Sequence, residues 1–197
     1  FMEVNPEALE FVYRYPEFKG RSQTVDITGD VKEGEIPLFI QWDPRWGYEA
    51  YGDDMIALSG CGPVCLSMVY VGLTGDTSMD PKAMSEFSME NGYYLENVGT
   101  SWDLMSSGAE LLGLSWENPS LHQGELYDLL DMGCPLICSM KPGDFTTTGH
   151  FIIIYGRDGD DLLVHDPNSM ERSSRTWTYE QLESQIKNIW AYSTDRY

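Results

Sequence analysis

The best-placed group for nucleophilic chemistry is a cysteine between two glycines with a proline close behind it, in Ser59-Gly60-Cys61-Gly62-Pro63-Val64. Proline is comfortable only near the start of a helix, so Cys61 lies at or just before one. Backbone N–H groups there lack intrahelical partners and the helix dipole is positive, a setting that lowers a thiol pKa and favours thiolate. The flanking glycines remove bulk and let a substrate backbone come close. A buried cysteine in a tight turn explains the same residues, so the pattern needs a base before it reads as a nucleophile.

Three histidines could supply that base. His150 follows Gly149 and begins the run Phe151-Ile152-Ile153-Ile154, where a side chain can project into a cleft while the strand fixes it. His122 stands at a polar helix start, the setting of a solvated histidine. His165 sits late in a strand beside Asp166, where packing is the ordinary role. Asp166-Pro167 closes the strand that a tight turn pairs with the His150 strand, so the far ends of the two strands meet and bring His150 beside Asp166. A carboxylate there accepts the imidazole N–H and holds its tautomer. An Asp-Pro turn residue, common at strand ends, is the alternative, and given His150 the geometry favours the functional reading. An oxyanion needs donors; the Cys61 N–H is one, and the side-chain amide of Gln41, in Phe39-Ile40-Gln41-Trp42-Asp43-Pro44, is a candidate second.

The elements that must position these residues can be read along the chain. Asn5 caps a short helix to Arg14 with Pro6 in its first turn, and Pro16 stops it. Residues 1–35 form an extension of short helix plus linker, and residues 36–197 the main domain. An apolar helix runs from Pro63 to Leu73, and Asp80-Pro81 opens another that ends near Asn91-Gly92. Thr100 and Ser101 cap a third with Gly113 at its end, and Ser120 with Gln123 caps a fourth that ends at Gly133. Then the pattern changes. Residues 135–140, 150–156 and 162–165 are β-type runs, the last two joined through Arg157-Asp158-Gly159-Asp160-Asp161, a hairpin turn without the ligand spacing of an EF-hand. Thr178 with Gln181 caps one more helix, and 188–192 is a last strand. Helices first and an antiparallel sheet later make the class α+β.

Composition bounds the function. A chain of 197 residues with 42% hydrophobic and 13% aromatic content is about one globular domain. Its 32 acidic against 12 basic residues, net −20, argue against nucleic acid or anionic lipid as partner. Such a charge attracts cationic peptides, but the solubility of a secreted protein is the better explanation of it. No apolar run is long enough to span a membrane. No signal peptide is visible, but the chain begins at Phe1, so that absence weighs little. The cysteine pairs Cys61/Cys65 and Cys134/Cys138 have neither zinc-ligand spacing nor disulfide geometry, which makes Cys65, Cys134 and Cys138 small buried hydrophobes. Neither a metal nor another cofactor is expected.

Taken in order, residues 36–46 (Ile-Pro-Leu-Phe-Ile-Gln-Trp-Asp-Pro-Arg-Trp), Gly60-Cys61-Gly62-Pro63-Val64-Cys65, Gly149-His150-Phe151 and Asp166-Pro167-Asn168 resemble the bacteriocin-processing (double-glycine) peptidase superfamily, in its free-standing C39-like branch. The resemblance spans residues 36–193. It implies a papain-like fold, the cysteine helix packed on an antiparallel sheet that carries the histidine and aspartate. It also implies Cys61 as nucleophile, His150 as base, Asp166 as orienter and Gln41 in the oxyanion hole. The stretch Gly99-Thr100-Ser101-Trp102, together with Gly149, is expected to border the substrate cleft, although a capped helix start also explains the former. The chain carries neither a transporter span nor a nucleotide-binding motif, so cleavage after a double glycine is not implied. The expected activity is thiol-dependent hydrolysis of an extracellular peptide or protein at a bacterial surface. The alternatives are a cell-wall peptide amidase or transpeptidase with the same triad, and a catalytically silent peptide-binding protein.

Overall fold

The computed structural model of the protein describes residues 5–194. Its helices are α1 (Leu9–Phe18), α2 (Ile56–Ser59), α3 (Cys61–Thr74), α4 (Pro81–Glu90), α5 (Ser107–Leu111), α6 (Gln123–Asp131), α7 (Met170–Ser173) and α8 (Tyr179–Glu183). Its strands are β1 (Ala50–Tyr51), β2 (Asp54–Met55), β3 (Tyr94–Leu95), β4 (Gly99–Thr100), β5 (Ser115–Glu117), β6 (Leu136–Met140), β7 (His150–Asp158), β8 (Asp161–His165), β9 (Thr176–Trp177) and β10 (Ile186–Ser193). Six strands form one sheet in the order β5-β10-β6-β7-β8-β9, every neighbour antiparallel. The fold is α+β and papain-like, as expected.

Both faces of this sheet are covered, which is why its central strands read as unbroken apolar runs instead of alternating. On one face Ile137, Phe151, Ile153 and Trp190 pack with Val64, Met68 and Val69 of α3. On the other, Leu136, Cys138, Ile152 and Ile154 pack with Leu126, Leu129 and Leu130 of α6. The helix α3 is buried along nearly its whole length, consistent with a helix apolar on every side. Gly75, in the left-handed region at φ 72°, ends it. Each fully buried aliphatic side chain contributes about 1.5–3 kcal/mol, and Ile153→Ala in this layer would cost about 2–5 kcal/mol.

The β7–β8 hairpin turns at Gly159 with φ 61°, Asp158 opposite Asp161. Thr178 and Gln181 form the expected reciprocal cap of α8. Three local expectations are corrected. The first helix does not stop before Pro16: a 3-10 turn over Pro6–Ala8 leads into α1, which continues through Pro16 to Phe18. The missing N–H is offset by packing, since Phe11 and Phe18 both stack on Tyr48, whose hydroxyl donates to the Phe11 carbonyl. The fourth helix opens at Gln123 with His122 as N-cap, because the Ser120 hydroxyl goes instead to the Glu125 carboxylate. The third divides into a 3-10 turn, Trp102–Leu104, and α5.

Residues 5–35 are seated on the domain. Ile27 is a fully buried member of the α3 core, and Val25 and Val31 pack against it. Among the described residues, no helix is long and apolar enough to cross a membrane.

Candidate active site

Cys61 is the first residue of α3, with Gly60 as N-cap. Around its sulfur, the His150 imidazole and the backbone N–H groups of Phe151 and Gly62 all favour the thiolate. Burial alone would push the thiol up, but the His150 bond and charge together with the two N–H donors bring it below the ordinary value. One helical turn on, burial has no such opposition: the Cys65 thiol is raised well above the usual range, and Cys138 is likewise raised. Cys61 is therefore the thiol whose surroundings favour thiolate.

His150 opens β7, opposite Met140 of β6. Its neighbour β8 ends with His165 opposite Ile153, and the chain then turns at Asp166. The Asp166 carboxylate reaches back to His150, Oδ1 lying 2.7 Å from Nε2. With Nε2 taken by the carboxylate, Nδ1 is the nitrogen left for the sulfur. Burial opposes charge on this imidazole. The Asp166 charge and hydrogen bond, with the Cys61 bond, override it and push the pKa up to about 10. The two shifts, the thiol downward and the imidazole upward, both favour a thiolate–imidazolium pair.

Asp166 is completely buried, and both oxygens are satisfied. Oδ1 also accepts the Asn168 N–H at 2.8 Å, and Oδ2 accepts the Arg172 Nε–H at 2.5 Å. Burial would raise this carboxyl, yet the charges of His150 and Arg172 hold it below the usual range. The turn that carries it is tied from the far end of the sequence. Asn5 Nδ2 donates to the Asn168 carbonyl at 2.8 Å, and the Glu7 carboxylate accepts the N–H groups of Met170 and Glu171 at 2.8 and 3.2 Å, capping α7.

A cleft of about 790 Å³ opens over Cys61 and His150. The expected cleft residues Gly99, Thr100, Trp102 and Gly149 line it, together with the apolar Leu58 and Val98 and the charged Lys141 and Lys187. Ser101 is not on its wall. The Ser101 hydroxyl instead accepts the Asp103 N–H and caps the 3-10 turn. The two glycines beside the nucleophile serve packing. A Cβ on Gly62 would lie 2.7 Å from the Thr100 side chain, and one on Gly60 2.7 Å from Ile56, so these glycines admit neighbouring protein. Gln41 is buried behind α2, outside the cleft wall. Its backbone N–H donates to Pro167 and its Nε2 to the Ala57 carbonyl at 2.8 Å, while Oε1 is buried without a hydrogen-bond partner. His122 is exposed. His165 is buried against Tyr155, ring centroids 3.9 Å apart, and burial pushes its pKa down to about 4.

The family model described as Peptidase_C39 like family matches residues 33–197, more than four fifths of the sequence. The chain belongs to that family. Among solved structures, this C39-like chain is similar to the peptidase domain of Streptococcus ComA, a bi-functional ABC transporter involved in a quorum-sensing pathway. That match has 18% identity over 70% of this chain and 93% of the other, with a TM-score of 0.51. A putative C39-like peptidase from Bacillus anthracis matches at 14% identity over 83% and 97% of the two chains, TM-score 0.47. No curated protein matches the sequence. At such identities the likeness to ComA speaks for the fold, and the family membership suggests a cysteine peptidase. Within this C39-like domain, Arg172, Asn168 and the Phe151 N–H were not singled out from sequence. The one local signal was Ser169 three residues before Arg172, an N-cap pattern that places the arginine in a short helix just after Asp166.

Proposed function

We propose that this domain hydrolyses peptide bonds through a thioester on Cys61. The observation that carries the reading is His150, which holds Asp166 at 2.7 Å and lines the same cleft as Cys61. The thiolate attacks the carbonyl carbon, forming the C–S bond and placing negative charge on the oxygen. The Cys61 N–H at the start of α3 is the backbone donor offered to that charge. The tetrahedral species collapses, the C–N bond breaks, and the amine leaves with the proton of the His150 imidazolium. Water then gives a proton to His150 as its oxygen attacks the thioester. Loss of the C–S bond releases the acid and restores the thiolate–imidazolium pair. Asp166 remains ionised and holds the ring in place.

A mixed peptide library incubated with wild-type protein and with Cys61→Ala tests this reading. New peptide termini with wild type alone, and a mass increase on Cys61 in protein quenched with acid, are the expected results. A second reading is a peptide-binding protein without turnover. The observation in its favour is Gln41, whose amide is engaged with Ala57 away from the cleft wall. Rapid alkylation of Cys61 with no new termini from any library would select it.

A further inference from the structure

The cleft is the chemical opposite of the surface around it. The chain carries a net charge of −20, yet among the described residues that line the cleft none is acidic and two are lysines, Lys141 and Lys187. Neither lysine has a carboxylate partner among the described ion pairs, whereas Lys32 and Lys82 sit on Glu35 and Glu49. Lys187 Nζ lies 5.2 Å over the exposed face of Trp102, at the edge of the apolar wall. Two exposed ammonium groups with no anion of their own face the same cavity as the Cys61 sulfur.

Sheet register fixes their distance from the reacting thiol. His150 pairs with Met140, and Met140 pairs with Ile186. Lys141 and Lys187 each follow those partners by one residue, so the two lysines stand one and two strands away from His150 at the same end of the sheet. At about 4.8 Å between strands, Lys187 is about 10 Å from the histidine backbone, the span of about three residues of extended peptide. Resting on the reading of Cys61 as a peptidase nucleophile, we infer that this cleft selects a peptide bearing an aspartate or glutamate within about three residues of the bond cut. The overall charge alone would have suggested a cationic substrate. At physiological salt, charges beyond about 8 Å are screened, and the local pair decides over the distant acidic surface.

Two measurements test this on the full chain. The first needs no turnover: the alkylation rate of Cys61 by anionic iodoacetate divided by its rate with neutral iodoacetamide. The ratio should fall severalfold in the double variant Lys141→Glu/Lys187→Glu, and salt should narrow the difference from wild type. Both side chains are exposed, so the fold should tolerate the change. An unchanged ratio overturns the inference. The second is the library digest, in which wild type should enrich Asp and Glu near the cleavage site and the double variant should lose that preference. Cleavage without acidic enrichment overturns the inference and leaves the peptidase reading standing. A ratio that responds while no peptide is cut rejects the peptidase reading and keeps the anion-selective cleft.

Discussion

Arg172 holds the oxygen of Asp166 that His150 leaves free, its Nε 2.5 Å from Oδ2 while His150 Nε2 lies 2.7 Å from Oδ1. A buried carboxylate between two cations is fixed in rotation as well as in charge. Arg172 thus acts on the chemistry only through Asp166. Removing it should leave KM nearly unchanged and lower kcat about tenfold or more, the loss seen when outer partners of a functional group are removed. Arg172→Lys should recover part of the loss and Arg172→Ala none. Michaelis kinetics on a peptide found in the library digest would check this. A change confined to KM would place Arg172 in binding instead.

The pH profile follows from the coupled pair. Cys61 is lowered and His150 raised to about 10, so the thiolate–imidazolium pair exists between those limits. Iodoacetamide alkylation of Cys61 should reach its plateau at a lower pH than that of an ordinary thiol, whose pKa is about 8.5. Hydrolysis should share the plateau but fall as pH approaches 10, because the leaving amine then finds His150 unprotonated. In His150→Ala the alkylation curve should move back towards an ordinary thiol. An unmoved curve in that variant would dissociate the histidine from the thiol.

The Gln41 amide donates to the Ala57 carbonyl, away from the cleft wall. If it serves the oxyanion, Gln41→Ala should lower hydrolysis about a hundredfold, the typical loss for one donor. Alkylation by iodoacetamide builds no tetrahedral oxyanion and should change little. Parallel losses in both assays, with a lowered Tm, would assign Gln41 to holding α2.

The Asn5–Glu7 clasp makes a separate prediction. Glu7→Ala removes the carboxylate cap of α7, which costs about 1 kcal/mol and about 2–4 °C in Tm for a chain of this size. The turn bearing Asp166 and Arg172 should loosen with it, and kcat should fall severalfold while the alkylation curve of Cys61 shifts upward. Loss of Tm alone, with unaltered kinetics, would show the clasp to be purely structural.

His165 governs acid stability by a different route. Burial pushes it down to about 4, against about 6.5 in an unfolded chain. Between those values the unfolded chain takes a proton that the folded chain refuses. Stability is therefore full above about 6.5 and falls as pH drops towards 4, by at most about 3 kcal/mol. His165→Phe keeps a ring on Tyr155 and cannot titrate, so its Tm should drop less than that of wild type between pH 7 and pH 5. Equal drops would remove His165 from the acid response. Peptide hydrolysis should stay within a few-fold.

The sequence by itself determined what local stereochemistry and strand pairing determine. Pro63 behind Cys61 set the start of α3, the glycine turn at 159 set the β7–β8 hairpin, and that hairpin brought Asp166 to His150. Each is a short-range constraint, or the direct product of one. The cleft position of Trp102 and Thr100 was legible only through resemblance, and Ser101 turned out to serve the helix cap that the same residues also suggested.

Tertiary structure decided the rest, because the partners are remote in sequence and their signals are weak. Glu7 meets α7 from 163 residues away, and nothing in either segment names the other. The glycines at 60 and 62 looked like room for substrate, but Ile56 and Thr100 occupy that space. Gln41 could be assigned a side-chain donor from sequence, yet the packing of α2 determines which carbonyl takes it. The lysines at 141 and 187 were two unremarkable charges in an acidic chain. Only the strand order β10-β6-β7 brings both to the cleft that Cys61 lines, since local propensity makes strands and the burial of both sheet faces chooses their neighbours.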